Sequence, residues 1–420
     1  MARPFGVTGT TRVTDPNATF DPGEAGAADM AAALAALAAR WATRADRADR
    51  DGRLQGADLE DLHASGYLRA PVPRAHGGLG ASLEAVVELQ QRAAGGSAAS
   101  ALVAAMTLML VGHARDVDAW ADERERLFAL VRRGALLNAV ASEPAMGSPS
   151  RGGLPATELR RDGDRLTLHG HKTWATGGEH LTHLLVLARD GDRAVQVLAA
   201  NHAPGVRWGR TWGDGLSLRA SESHDLHLDG VHVDDGDVLR LRPGPKVRNV
   251  WFTLLVAATY LGSAAAARDA LVTYARGRVP SALGHPIADL PSFRRDLGAL
   301  QVALHGARAT LHGAARTWDE RREQGDAEVA KLVCVDAATR ITEGALRLAG
   351  GAALGSELPL ARHFRDTRAG YGHPPAADAV YQRLGAALVE ASPVGQAPAV
   401  RDEPASDAPT DPASSADVTS

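Results

Sequence analysis

The sequence predicts a mainly α fold with a central β domain, and two observations carry that reading. Apolar residues recur at helical spacing to about residue 137, alternate in strand fashion beyond it, and return to helical spacing from Val247. With 420 residues, 45% of them hydrophobic, the chain can bury a large core and hold more than one structural unit. The expected order is an N-terminal α-helical domain over 26–137, a middle β-barrel over 138–243 and a C-terminal four-helix bundle over 244–391.

The elements follow in chain order. Residues 1–25 mix Pro, Thr, Asn and Gly without periodicity and are expected to form a disordered arm. From Ala27 to Arg50, Met30, Leu34, Leu37 and Trp41 fall on one helical face, and a second helix follows around Gly56–Ser65. The loop APVPRAHGGLGA then leads into two long helical patterns between Ser82 and Arg133. The runs DRLTLHGHKTW, HLLVLARD, RAVQVLAA and HDLHLDGVHV alternate apolar with polar residues between Gly and Asp breaks, as strands do. Helical spacing then runs to about Ala391, with breaks near Pro280 and Gly350. Residues 392–420 are rich in Pro, Ala, Ser and Asp and are expected to be a disordered tail.

Composition narrows the function. A formal net charge of -4 offers no basic footprint for nucleic acid and no polybasic membrane patch. No run of about 20 uninterrupted apolar residues is present, and the start has no secretory pattern, so a cytoplasmic location is expected. The single Cys334 excludes an intrachain disulfide and reads as packing. His169 and His171 share one strand face, but with His180 they lack the carboxylate or Cys that would complete a metal site, and no metal is expected. His113 reads as a helix-end histidine, and His224 and Asp225, which open a strand, read as surface residues.

The motifs are more specific. Ser142-Glu143-Pro144 and Gly147-Ser148 precede a hairpin that ends in Gly170-His171-Lys172-Thr173-Trp174-Ala175-Thr176. Gly77-Gly78-Leu79-Gly80, Leu218-Arg219-Ala220-Ser221, Tyr274 with Arg278, Gly350-Gly351 and Arg365-Asp366-Thr367-Arg368 complete an ordered set. This succession resembles the acyl-CoA dehydrogenase superfamily of flavoproteins across roughly residues 26–390.

The resemblance implies a flavin, FAD or FMN, with Trp174 as the wall of the ring, Ser142 at its pyrimidine edge and Thr176 at N5. It further implies that Gly147 and Ser148 admit the pyrophosphate, and that Arg278 with Gly350 and Gly351 receives the adenosine diphosphate half from a neighbouring subunit. A homodimer or homotetramer follows from that. Glu143 matches a structural position of the family. Trp251, Phe252 and Leu255 are expected to face the substrate pocket.

The same resemblance exposes a departure. Dehydrogenation of an acyl-CoA needs a carboxylate as general base, and the family keeps it at either of two positions. Counting from Arg365 reaches Pro374, counting back from Gly262 reaches Phe252, and the arginine that helps hold the acyl-CoA falls at Thr253. His373 and the run RVPSALGHPIADLPS resemble instead the two-component flavin monooxygenases of this fold, in which a separate flavin reductase supplies reduced flavin for reaction with O2. On that reading His373 either hydrogen-bonds the activated oxygen or deprotonates the substrate, and Thr176 protects the N5 proton. The expected function is therefore a flavin-dependent oxidoreductase, a monooxygenase acting on a small organic substrate. The alternatives are an acyl-CoA dehydrogenase whose base is displaced, for example to Asp378, and a non-catalytic flavin-binding or scaffold protein.

Overall fold

The computed structural model describes residues 27–117, 120, 123–145, 153–239 and 248–391. The expected arm and tail lie outside them. The helix α1 (Ala27–Asp51) buries Met30, Leu34, Leu37 and Trp41, the face its spacing predicts. After α2 (Gly56–Ser65) the chain forms α3 (Leu83–Gly96), α4 (Ala98–Asp116) and α5 (Arg124–Arg132). Two long helices were expected here; α3 and α4 are long, and the short α5 follows them. Gly95-Gly96 weakens the helix, and extended Ser97 caps α4 by accepting from the Ser100 amide. A Cβ on Gly96 would sit 2.3 Å from the Ala38 carbonyl, so only glycine lets α1 and α3 come this close.

The middle of the chain is one eight-stranded sheet. Its strands are β1 (Leu137–Val140), β2 (Glu158–Asp162), β3 (Arg165–Ala175), β4 (His183–Asp190), β5 (Arg193–Ala200), β6 (Val206–Gly209), β7 (His224–Val233) and β8 (Val238–Leu239). The order is β6-β7-β3-β2-β4-β5-β8, with β1 parallel to β4. The four runs singled out by alternation are β3, β4, β5 and β7.

The helices α6 (Val250–Gly277), α7 (Pro291–Arg321) and α8 (Gly325–Ala349) pack together, and the short α9 (Leu360–Arg368) rests on α6 and α8. A final helix, α10 (Ala377–Ala391), belongs to a compact unit of its own that begins at Asp378. α4 and α6 reach the length and mean hydropathy of a membrane span although neither is an uninterrupted apolar run. Their most apolar windows are 94% and 89% buried inside the protein, so they serve as core helices.

One carboxylate joins the helical parts. Asp116 Oδ2 accepts from the indole N–H groups of Trp251 on α6 and Trp318 on α7, both at 2.8 Å. Arg115 pairs with its other oxygen at 2.8 Å. Gly112, one helical turn earlier, leaves room for the Trp251 ring, which an added Cβ would meet at 2.1 Å.

Candidate active site

Alternation along β3 buries Leu166, Leu168 and Lys172, and continued to position 174 it would turn the indole inward. The chain avoids this with a β-bulge between Lys172 and Ala175. Trp174 takes a left-handed backbone with φ 57°, Ala175 turns inward, and the indole is left 57% exposed. A large aromatic held in a strained conformation against water is a ready wall for a planar ligand.

Polar groups gather directly behind it. The Ser142 carbonyl accepts from the Thr173 amide at 3.0 Å, which ties the Ser142-Glu143-Pro144 loop to the bulge. Glu143 lies beneath, 3% exposed, accepting from Lys172 Nζ at 2.7 Å and from the amides of Ala156 and Thr157. Against the penalty of burial, those hydrogen bonds hold its carboxyl down to about 2. Glu143 is a fastener of the loop.

Thr176 is buried at the head of a hydroxyl chain. Its Oγ1 is 2.9 Å from Ser223 Oγ, which is 2.8 Å from Ser221 Oγ. Asn138 Nδ2 donates to the Thr176 carbonyl at 2.9 Å, while Asn138 Oδ1 is buried with no partner among the described residues. An exposed indole two residues from a held hydroxyl suits a flat ligand with polar edges. Gly147 and Ser148 lie outside the described residues.

The second cluster surrounds His373. Its Nδ1 lies 2.7 Å from Tyr260 Oη and 3.2 Å from the Ala369 carbonyl, and its ring is 6.1 Å from that of Phe252. With the proton on Nδ1 the ring donates to the Ala369 carbonyl and Nε2 keeps its lone pair; with the proton on Nε2, Nδ1 accepts from the Tyr260 hydroxyl. Burial, with the nearby Lys331 ammonium adding to it, pushes the imidazole down to about 4 and keeps it neutral at neutral pH. Pro374 stands next to it at the position counted from Arg365.

A hydrogen-bonded path joins the two clusters. Asp366 accepts from the Leu218 amide at 2.8 Å, the Ser217 hydroxyl donates to the Asp366 carbonyl at 2.9 Å, and the Ala369 amide donates back to Ser217 Oγ at 3.2 Å. The Arg365-Asp366-Thr367-Arg368 element thus holds the turn that carries Ser221 to Thr176 and also begins the turn that carries His373.

Other predicted residues are placed differently. Phe252 is half-buried, whereas Trp251 and Leu255 have no exposure, and Trp251 is taken up by Asp116. Arg278 caps the end of α6, exposed and without an ion pair among the described residues. Gly350, with φ 62°, and Gly351 end α8 facing open space. No hydrogen bond within this chain links Arg278 or either glycine to the two clusters among the described residues. His113 is buried, its Nδ1 has no partner among the described residues, and burial pushes it down to about 4. His224, expected at the surface, is 5% exposed because it pairs with inward-facing Ala175, and its Nδ1 accepts from the Trp212 amide. No group of three metal-binding side chains occurs among the described residues. A cleft of about 400 Å³ between α1, α3, α6 and α7 shares no residue with either cluster.

Sequence reasoning missed Tyr260, Lys331, Ser223 and Asn138. Tyr260 sits in an apolar helix and reads as core, and Asn138 reads as a strand residue. Lys331 alone carried a signal, as one of three lysines among 46 basic residues.

Comparisons with known proteins identify the family. Residues 138–231 match the family described as acyl-CoA dehydrogenase, middle domain, and residues 252–371 match acyl-CoA dehydrogenase, C-terminal domain. The putative acyl-CoA dehydrogenase YdbM of Bacillus subtilis (strain 168) is 33% identical over 351 residues, 81% of this chain and 91% of that protein. Among solved structures, nitrososynthase from Micromonospora carbonacea var. africana superposes with a TM-score of 0.75 at 25% identity, covering 86% of this chain and 96% of the other. KijD3 in complex with FMN superposes with a TM-score of 0.74 at 25% identity, covering 87% of this chain and 94% of that one.

Proposed function

The chain belongs to the acyl-CoA dehydrogenase superfamily, and we propose that within it the protein is a flavin-dependent monooxygenase, using reduced flavin and O2 on a small organic substrate. One observation carries the reading. The two positions where the family holds its carboxylate base are Pro374 and Phe252, and neither side chain can take a proton. What stands against Phe252 is a neutral imidazole. The likeness to a nitrososynthase and to an FMN-bound relative supports the same direction.

The residues present fit a flavin. Trp174 would wall the ring, Ser142 would reach its pyrimidine edge, and Thr176, backed by Ser223 and Ser221, would face N5. Gly147 and Ser148 would take the pyrophosphate of FAD, and Arg278 with Gly350 and Gly351 would serve its adenosine half from a neighbouring subunit. When bound, the flavin supplies electrons for oxygen chemistry. This chain's part is to exclude water with Phe252 and Tyr260, to present Nε2 of His373 to a substrate proton, and to fix the Thr176 hydroxyl. A separate reductase would supply the reduced flavin.

The test mixes anaerobically reduced, flavin-loaded protein with aerated buffer and follows the return of oxidised-flavin absorbance. A delayed second phase is expected, and His373→Ala should merge it into one fast phase. A single phase in the parent protein, with bleaching of the oxidised flavin by an acyl-CoA under argon, would instead establish a dehydrogenase. The likeness to YdbM is the observation that favours that second reading. Its substitute base, Asp378, is exposed on α10 in the separate C-terminal unit.

A further inference from the structure

Lys331 is 1% exposed, and lysine is rarely buried without a paired carboxylate. The other fully buried lysine, Lys172, keeps that rule through Glu143 at 2.7 Å. Lys331 does not. Its ammonium donates to the His373 carbonyl at 2.8 Å and to the Pro375 carbonyl at 3.2 Å, and Asp336 acts on it only from a distance. Burial pushes it down to about 8, so it remains largely charged at neutral pH. A point donor with three N–H groups can hold two carbonyls of one turn, which the planar fork of arginine is poorly shaped to do.

We propose that Lys331 is a positioning residue for His373: its ammonium clamps the carbonyls on either side of Pro374, setting the imidazole against Phe252 and Tyr260, and its charge disfavours a second positive charge on that ring. The inference rests on the reading of His373 as the side chain that meets the substrate. The groups facing His373 are Tyr260 from α6, Lys331 from α8 and the Ala369 carbonyl from the turn after α9. Asp336 and Asp366 stand further out and act on Lys331 and Tyr260 respectively.

Two variants of the full, flavin-loaded chain separate the parts of the proposal. Lys331→Met removes both hydrogen bonds, and amide hydrogen exchange at residues 370–373 should rise at least about tenfold while residues 165–175 are unchanged. Lys331→Gln keeps a donor for one carbonyl but no charge. Its turn should stay within about threefold of the parent in exchange, and His373, followed by NMR of histidine-labelled protein, should titrate at higher pH. Unchanged exchange in Lys331→Met overturns the clamp. A His373 titration in Lys331→Gln identical to the parent overturns the charge effect, and if Lys331→Met does not fold, Lys331→Ala replaces it in the exchange measurement, with unchanged exchange at 370–373 again overturning the clamp. An unaltered oxygen reaction in His373→Ala, beside a loosened turn in Lys331→Met, removes the role given to His373 and leaves the clamp standing.

Discussion

Trp174 shows how a single residue gives a strand an exposed aromatic face. Its left-handed backbone costs on the order of 1–2 kcal/mol, and its exposed ring recovers little of that in the isolated chain. A stacked planar ligand would recover it. Trp174→Ala is accordingly expected to weaken FMN binding about tenfold, the equivalent of about 1.4 kcal/mol, while the thermal midpoint of the flavin-free protein stays within about 2 °C. Fluorescence titration and calorimetry read the two effects separately. Equal affinity in the variant would remove the indole from the ring site. The motif around Trp174 was legible in the sequence, but its exposure was not. Period-2 alternation from Leu166 points the indole inward, and the bulge that reverses it depends on pairing with β7, about 50 residues away in sequence. The same blindness applies to His224, which the bulge pairs with Ala175, and to Tyr260 and Lys331, which meet His373 only through tertiary packing.

At the scale of elements, the amphipathic α1 and the four alternating strands were readable because each buries one face. α4 and α6 are buried nearly all round, so no period fixes their orientation, and Trp251 and Leu255 read as pocket residues although they face packed neighbours. Asp116 is what sets that packing. Asp116→Ala leaves the indole N–H groups of Trp251 and Trp318 without an acceptor in the core, and a loss of about 3 kcal/mol in unfolding free energy is expected by urea titration. A loss below about 1 kcal/mol would mean water replaces the carboxylate. Glu143 fastens the sheet in a comparable way and gives a pH dependence. Its carboxyl titrates at about 2 in the folded chain against an ordinary 4.5. The stability it contributes is therefore complete above about pH 4.5 and is lost as the pH falls toward 2. Glu143→Gln should flatten the acid limb of the stability curve over that window, because glutamine does not titrate. An unchanged limb would assign the acid sensitivity to other carboxylates.

For the whole molecule, the central question is whether one chain makes the complete cofactor site. Trp174, Thr176 and Ser142, proposed to face the ring, lie together, tied through Ser217 and Asp366 to His373, whereas Arg278 and Gly350-Gly351 have no hydrogen-bonded link to them among the described residues. Arg278 nevertheless offers a cation to an anion: it is exposed and without an ion pair among the described residues. If those residues receive the adenosine diphosphate half of FAD bound by a second copy, the chain must associate, and FAD must depend on Arg278 in a way that FMN does not. Arg278→Ala should then weaken FAD about tenfold to a hundredfold, as expected for loss of a charge-assisted bond to phosphate worth about 1.5–3 kcal/mol. FMN affinity should stay within about twofold. Sedimentation of the parent protein should show a dimer or a tetramer, with FAD affinity declining on dilution as the assembly dissociates. A monomer that binds both flavins equally, before and after the substitution, would confine the cofactor site to the Trp174 cluster. That outcome would make the ring and its phosphate the whole of what this chain recognises.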